Sequence, residues 1–458
     1  MVPKVRVPQH AGSFYPRTPE TVSAMIQDLL PDNIQPVNNL RALIVPHAGW
    51  AYSGRTAARA YAQINPKNYR RIILLAPSHY VAINKLSLCP FDVLQTPIGD
   101  LTVDARLRDQ LLKEGIASGS EAHALEHATE VHFPFLAWFC SDLPVLPILT
   151  GQMSQDDIAR AARQLAPHWD QQTLVVVSSD FTHYGNHFAY LPFPVSEAPK
   201  KIRALDYQAI RHILKLDAKA FTAFCRETGA TICGRVPIQI LLQMTTNADT
   251  ASLIAYTTSA EQTGDYSHSV SYAAISIHPA PYSPDSQQIM LRIARDAIRT
   301  VLLHKRVQIP QNLPAELQQV GACFVTLRIG ERLRGCIGSI MAHRPLIDDL
   351  IGNAIQAAFH DPRFPPLSLD ELEETNIHLS ILSSPRPVTS PDEIILGYHG
   401  IILNHGPARA VFLPEVAIEQ GWDLEETLQA LSRKAGLPAN AWEQATFEVF
   451  TTFSFGED

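Results

Sequence analysis

Three short apolar runs in the first half of the chain end in residues able to bind a metal or move a proton. Leu40–Val45 (LRALIV) leads into Pro46, His47, Ala48 and Gly49, and Arg71–Ala76 (RIILLA) leads into Pro77, Ser78 and His79. Thr173–Ser178 (TLVVVS) leads into Ser179, Asp180, Phe181, Thr182 and His183. In open α/β sheets ligands bind beyond the carboxyl ends of the strands, where loops from several elements gather. One histidine after a strand is ordinarily a loop residue, so only the set is informative. Neutral imidazoles converging at such an edge are natural ligands for a transition metal. A fourth segment, Thr231-Ile232-Cys233-Gly234-Arg235, precedes a helical pattern at Pro237–Met244. Cys233 reads either as a thiolate favoured by the helix dipole and Arg235, or as a small buried hydrophobe. His127 and His132 lie in EHATEVH, whose spacing is not the HExxH of a zinc protease. They are candidates for the pocket or for hydrogen bonds that support it. Trp50 and Tyr52, just after His47, either wall an apolar cleft or pack the core.

The elements that must position these residues follow from pattern and composition. The three runs are short and rich in β-branched residues, as buried parallel strands are. Helical stretches at Gly54–Ile64, Asp104–Glu114 and Ser154–Leu165 alternate with them, which predicts an α/β sheet covered by helices on both faces. His278–Ser286 (HPAPYSPDS) places three prolines in nine residues, so the expected division is a domain over 1–278, a linker over 279–285 and a second domain over 286–458. In the second domain a helix at Ser286–His304 precedes a hairpin pattern, CFVTLRI-GE-RLRGCIG, with Gly330 at its turn. A helix at Leu346–Phe359, strands near Ile377–Leu382 and Ala410–Leu413, and a helix at Leu424–Ala435 complete an α+β pattern with an antiparallel sheet. A turn centred on Gly330-Glu331 sets Cys336 opposite Val325, with Cys323 diagonal, a geometry that does not favour a disulfide.

The 458 residues carry 37 basic and 45 acidic side chains, 18 histidines and 6 cysteines. Residues 285–458 hold 22 acids and 14 bases, so the net charge of −8 lies in the second part and the first part is neutral. Neither part has the positive charge of a nucleic-acid binder, so nucleic acid is an unlikely partner. No apolar stretch approaches a membrane span, the N-terminus lacks a signal-peptide core, and the cysteines show no dense framework; a cytoplasmic location is expected.

The first part resembles the Memo family, system protein B of the AmmeMemoRadiSam gene trio. The resemblance rests on AGSFYP (11–16), VPHAGWAYSG (45–54), APSHY (76–80), EHATEVHFPF (126–135), VSSDFTHYG (177–185), TICGR (231–235) and SVSYAA (269–274), in that order across nearly all of residues 5–275. It implies a fold like the LigB-like extradiol dioxygenases, which hold non-haem iron, and a metal site of two histidines and a cysteine at His47, His79 and Cys233. Asp180 and His183 then line the same pocket. The dioxygenases use two histidines and a carboxylate; a cysteine in that place makes the site softer and suited to iron, copper or zinc, so dioxygenase activity does not follow from the fold. His183 is the candidate general acid/base, with Asp180 to orient it.

Residues 286–458 resemble the AMMECR domain, system protein A of the same trio, through LRGCIGS (333–339), FHDPRFPPL (359–367), LPEVA (413–417), GWDLEETL (421–428) and KAGLP (434–438). Arg334 and Cys336 mark a candidate second site there, with Arg328 and Arg332 adding to a basic cluster. The expected function is a redox-active metal protein working with a radical-SAM partner on an unidentified substrate. The alternative is a non-catalytic module that binds a peptide or small molecule in the same cleft.

Overall fold

Strands buried on both faces need aliphatic side chains at every position, and four such runs form the middle of the first sheet. They are β1 (Ala42–Val45), β2 (Arg71–Pro77), β3 (Val145–Thr150) and β4 (Thr173–Ser178), parallel in the order β1-β4-β2-β3. Every residue in them except Arg71 is buried. Beyond β1 the sheet turns antiparallel: β5 (His183–Gly185), β6 (Asp249–Thr258) and β7 (His268–Pro279) join it, with β7 pairing to β1, β5 and β6. On the far side Ser87–Leu88 pairs antiparallel with β3 and parallel with Ala117–Ser118, making a nine-stranded mixed sheet. The helices that matter below are α1 (Trp50–Tyr61), α2 (His127–Glu130), α3 (Phe133–Cys140), α4 (Gln155–Leu165), α5 (Ala198–Leu214) and α6 (Arg235–Met244). Ser154 caps α4 by accepting the Asp157 N–H at 3.2 Å.

The computed structural model describes residues 2–31, 36–307 and 313–457. Its contacts divide the chain into two units at Pro279/Ala280. The predicted linker stretch is partly ordered: β7 runs through Pro279, and α7 (Pro284–Leu302) opens on Pro284 and Asp285. Proline is tolerated there because the first N–H groups of a helix have no intrahelical partner, and Ser283 caps the turn by accepting the Ser286 N–H.

The second unit contains β8 (Cys323–Ile329), β9 (Arg332–Gly338), β10 (Thr375–Leu382), β11 (Arg386–Val388), β12 (Gly400–His405), β13 (Ala408–Phe412), β14 (Thr446–Phe450) and β15 (Thr452–Gly456). They form two antiparallel sheets, β9-β8-β10-β15 and β11-β14-β12-β13. Strand alternation sends Val325 and Leu327 of β8 and Ile377 and Leu379 of β10 to one face. There they pack with Met290 and Ala294 of α7 and with Leu350 and Ala354 of α8 (Leu346–Phe359).

Register corrects one expectation. The turn is at Gly330-Glu331, with Gly330 at φ 56°, but the pairing slips by one residue between Leu327 and Arg328. The bulge sets Cys336 opposite Thr326, not Val325. Along the free side of β9, Asp361 accepts the Cys336 N–H at 2.9 Å and Arg363 donates to the Cys336 carbonyl at 3.1 Å. No helix among the described residues is long and apolar enough to cross a membrane.

Candidate metal centre

Val45 of β1 is level with Ser178 of β4, so His47 and Asp180, each two residues further on, leave the sheet at the same height. His79 leaves β2, the other neighbour of β4, two residues past Pro77. Cys233 arrives from a distant segment, two residues ahead of α6. The ligand atoms of His47, His79 and Cys233 lie within 4.8 Å of one another. His47 Nε2 is 3.3 Å from Cys233 Sγ, and the ring centres of His47 and His79 are 5.2 Å apart. Two imidazoles bound through nitrogen at ~2.1 Å with a tetrahedral angle between them hold their centres about 5 Å apart.

Hydrogen bonds assign the ring nitrogens. Ser178 donates its hydroxyl hydrogen to the Ala128 carbonyl at 2.7 Å, so its oxygen accepts from His47 Nδ1 at 2.6 Å. His79 donates from Nδ1 to Glu126 Oε1 at 2.8 Å and from its backbone N–H to Oε2 at 2.6 Å. Both rings therefore keep the lone pair on Nε2. A carboxylate behind a ligating histidine fixes its orientation and strengthens it as a donor. Burial alone would raise the Glu126 carboxyl; the hydrogen bonds and charge of His79, with the Ala128 N–H, together outweigh that and hold it below its ordinary range. Burial, reinforced by His79, pushes His47 well below the usual imidazole value and keeps it neutral, the form that binds metals.

Of the two readings of Cys233, the surroundings favour a neutral thiol over a thiolate. Burial, with Asp180 adding to it, pushes the thiol well above its ordinary value, and the Asp180 N–H at 3.1 Å only partly opposes this. Arg235 is exposed. A bound cation would reverse the balance by taking the place of the proton. A second group, His79, Glu126 and His127, also has its ligand atoms within 4.8 Å. There the Glu126 oxygens are already occupied by His79 and by the Ala128 N–H at 3.0 Å, so the carboxylate supports His79 in preference to binding an ion.

A family model described as Memo-like protein matches residues 6–276, and one described as AMMECR1 matches residues 291–455. The chain is 33% identical to Protein MEMO1 of Xenopus laevis over 284 residues, covering 59% of this chain and 96% of that protein. The chain belongs to the Memo family. A MEMO1 family protein of Thermococcus kodakarensis is likewise 33% identical, with 59% of this chain and 98% of that protein covered. An uncharacterized protein of Pyrococcus horikoshii with a solved structure is 34% identical, covers 39% of this chain and 94% of its own, and superposes with a TM-score of 0.36.

Other predicted site residues of this Memo chain take varied places. Asp180, nearly fully buried, accepts the His47 N–H at 2.8 Å and keeps Oδ2 3.9 Å from His47 Nε2. It orients His47, while His183 is held instead by the carbonyls of Phe181 and Thr231, at 2.8 and 2.9 Å from Nδ1. The ring centre of His127 is 4.6 Å from that of His79 and 5.4 Å from that of His47. Its Nδ1 is buried without a hydrogen bond, 3.3 Å from Glu126 Oε1, and burial lowers its pKa to about 4. Trp50 does not wall a cleft: it is buried against Phe135, ring centres 4.2 Å apart, and Tyr52 is largely exposed on α1. In the second unit Arg334 is buried and held by Glu371, at 3.0 Å from both Nε and Nη2, while its Nη1 is buried without a hydrogen-bond partner. The Cys336 thiol accepts from Thr326 Oγ1 at 3.2 Å.

Reading the residues alone missed Glu126, Glu130 and Ser178. A signal existed: Glu126 and Glu130 are spaced i, i+4 beside apolar residues, and Ser178 ends an apolar strand, so all three are polar side chains in buried positions.

Proposed function

We propose that the Memo unit binds one transition-metal ion, iron or copper, through His47, His79 and Cys233 and uses it in redox chemistry, with zinc as a redox-silent occupant. What carries this reading is a buried imidazole, His47, and an exposed one, His79, each held with Nε2 free beside a cysteine, 3.3 Å between His47 Nε2 and the sulfur. Two nitrogens and one sulfur suit these metals, and three protein ligands leave a position for a further ligand. Likeness to the LigB-like dioxygenase fold belongs to the same proposal, as does His183 as the acid/base group, its Nδ1 held by backbone carbonyls. A radical-SAM protein is the proposed partner in modifying a substrate; the chain has no CxxxCxxC cluster motif of its own. Its six cysteines are all free, which suits the reducing cytoplasm.

Elemental analysis of protein purified without chelators should find roughly one iron or copper per chain, and less than about a tenth of that in the His47→Ala/Cys233→Ala double variant. Full occupancy in the double variant overturns the assignment. Glu126→Gln keeps the side chain's shape but removes the carboxylate behind His79, and should weaken metal binding about 10- to 100-fold in a chelator competition. Unchanged affinity would mean that His79 needs no such support.

A further inference from the structure

Behind His47 lies a closed group of polar side chains. Ser178 Oγ is 2.6 Å from His47 Nδ1, 2.9 Å from His132 Nε2 and 2.7 Å from the Ala128 carbonyl. On the other side of His132, Nδ1 is 2.9 Å from the Tyr61 hydroxyl. Ser178 and His132 are both fully buried, and so is Tyr61, whose ring stacks on Phe135 at 5.1 Å.

Counting protons leaves one arrangement that satisfies every atom. The Ala128 carbonyl can only accept, so Ser178 gives it the hydroxyl hydrogen. The serine oxygen then presents only lone pairs to the two rings, and both must donate to it: His47 from Nδ1, His132 from Nε2. His132 consequently has a bare Nδ1, which takes the Tyr61 hydroxyl hydrogen. Reversing any one hydrogen would set two donors or two lone pairs face to face in a dry interior, at the cost of an unmet buried polar group.

We infer that Ser178, ordered by His132 and Tyr61, is a positioning residue that locks His47 in the tautomer with its proton on Nδ1 and its lone pair directed from Nε2 toward the Cys233 sulfur. This places His132, a candidate for the pocket from its motif alone, two hydrogen bonds from His47, with Ser178 between them. The two metal-facing histidines then have unlike supports. His79 donates to a carboxylate, whereas His47 donates to a neutral hydroxyl. The lock is a property of the protein itself; its consequence for metal binding rests on the proposal above.

The test uses the full chain with 15N-labelled histidine, stripped of metal, and reads ring tautomers from long-range proton–nitrogen correlations. The His47 signals are identified by their loss in His47→Ala. Wild-type protein should show His47 only as the Nδ1–H form. Ser178→Ala should show mixed forms and bind Zn2+ about 10- to 100-fold more weakly. A single unchanged Nδ1–H pattern in folded Ser178→Ala overturns the lock. Should that variant not fold, Tyr61→Phe, which removes one hydroxyl from a stacked ring, still decides. The lock predicts altered His132 signals and a smaller loss of His47 uniformity, and unchanged patterns at both rings refute it. Wild-type protein with a locked His47 and no Zn2+ affinity would refute the metal proposal and support the lock.

Discussion

Gly234→Ala is expected to lose bound metal about as completely as Cys233→Ala, although the glycine supplies no ligand. Its φ of −86° is open to any residue, so the obstacle is space and not backbone strain. A Cβ there would lie 2.3 Å from Ser179 Cβ, 2.5 Å from Ser179 Oγ and 2.6 Å from the Ser178 carbonyl. These atoms belong to the end of β4 and the residue after it, and the Gly234 N–H itself donates to Ser179 Oγ at 3.1 Å. Relief requires the Cys233 segment to move off the strand end, which opens the 3.3 Å approach of its sulfur to His47. Overpacking of this kind costs about 1–3 kcal/mol, so the fold should persist while the centre comes apart. Gly49→Ala is the control: its Cβ would meet the Phe14 carbonyl at 3.7 Å and the Phe14 Cα at 3.9 Å, both ordinary contacts, and it lies two residues from His47. Metal content measured beside circular dichroism separates the outcomes. Gly234→Ala with full metal, or Gly49→Ala without it, contradicts this account.

The second large effect is expected at Glu130, which binds no metal. Its carboxylate accepts from Arg6 Nη1 at 2.7 Å, the Gln9 N–H at 2.9 Å, the His10 N–H at 2.7 Å and the Tyr15 hydroxyl at 2.8 Å. The Arg6 and Glu130 side chains are only 2% and 0% exposed. Glu130→Ala leaves the Arg6 charge buried without its partner and frees the N-terminal segment that carries His10 and Phe14 past His127. Breaking a buried pair from one side costs about 3–5 kcal/mol. For a domain of this size that lowers the unfolding midpoint by about 6–15 °C. Burial alone would raise the Glu130 carboxyl, but Arg6 and the backbone N–H groups outweigh it and hold it below its ordinary value. Its contribution is therefore present above the usual carboxylate range and is lost as pH falls through the lowered value. The gap between wild type and Glu130→Ala should close in acid. A midpoint change under about 2 °C at neutral pH would show that Arg6 finds another partner.

The strands that carry His47, His79 and Asp180 were legible because a strand covered on both faces has no polar alternative. β1, β2 and β4 read directly as aliphatic runs, and α8 begins and ends at its expected residues, Leu346 and Phe359. The pair β6 and β7 was not legible as strands, because they intersperse Ser, Thr and Tyr among the aliphatics. The centre's supports were hidden for a different reason. Glu126 meets His79 across 47 positions and Ser178 meets His47 across 131, and no local pattern encodes such a meeting. The Cys336 error was smaller in sequence and large in consequence: one bulged position next to a correctly placed turn changed the neighbour across the strand.

The clamp on β9 bears on how the second unit behaves in company. A strand at the border of a sheet offers its backbone to any passing extended peptide, and two such borders can zip molecules together. At Cys336 the offer is withdrawn. Asp361 stands where a neighbouring strand's carbonyl would stand, and Arg363 where its amide would, with Asp361 almost fully buried in that position. The loop thus impersonates one residue of a fifth strand, so at Cys336 the border of β9 has no open backbone group for another chain to pair with.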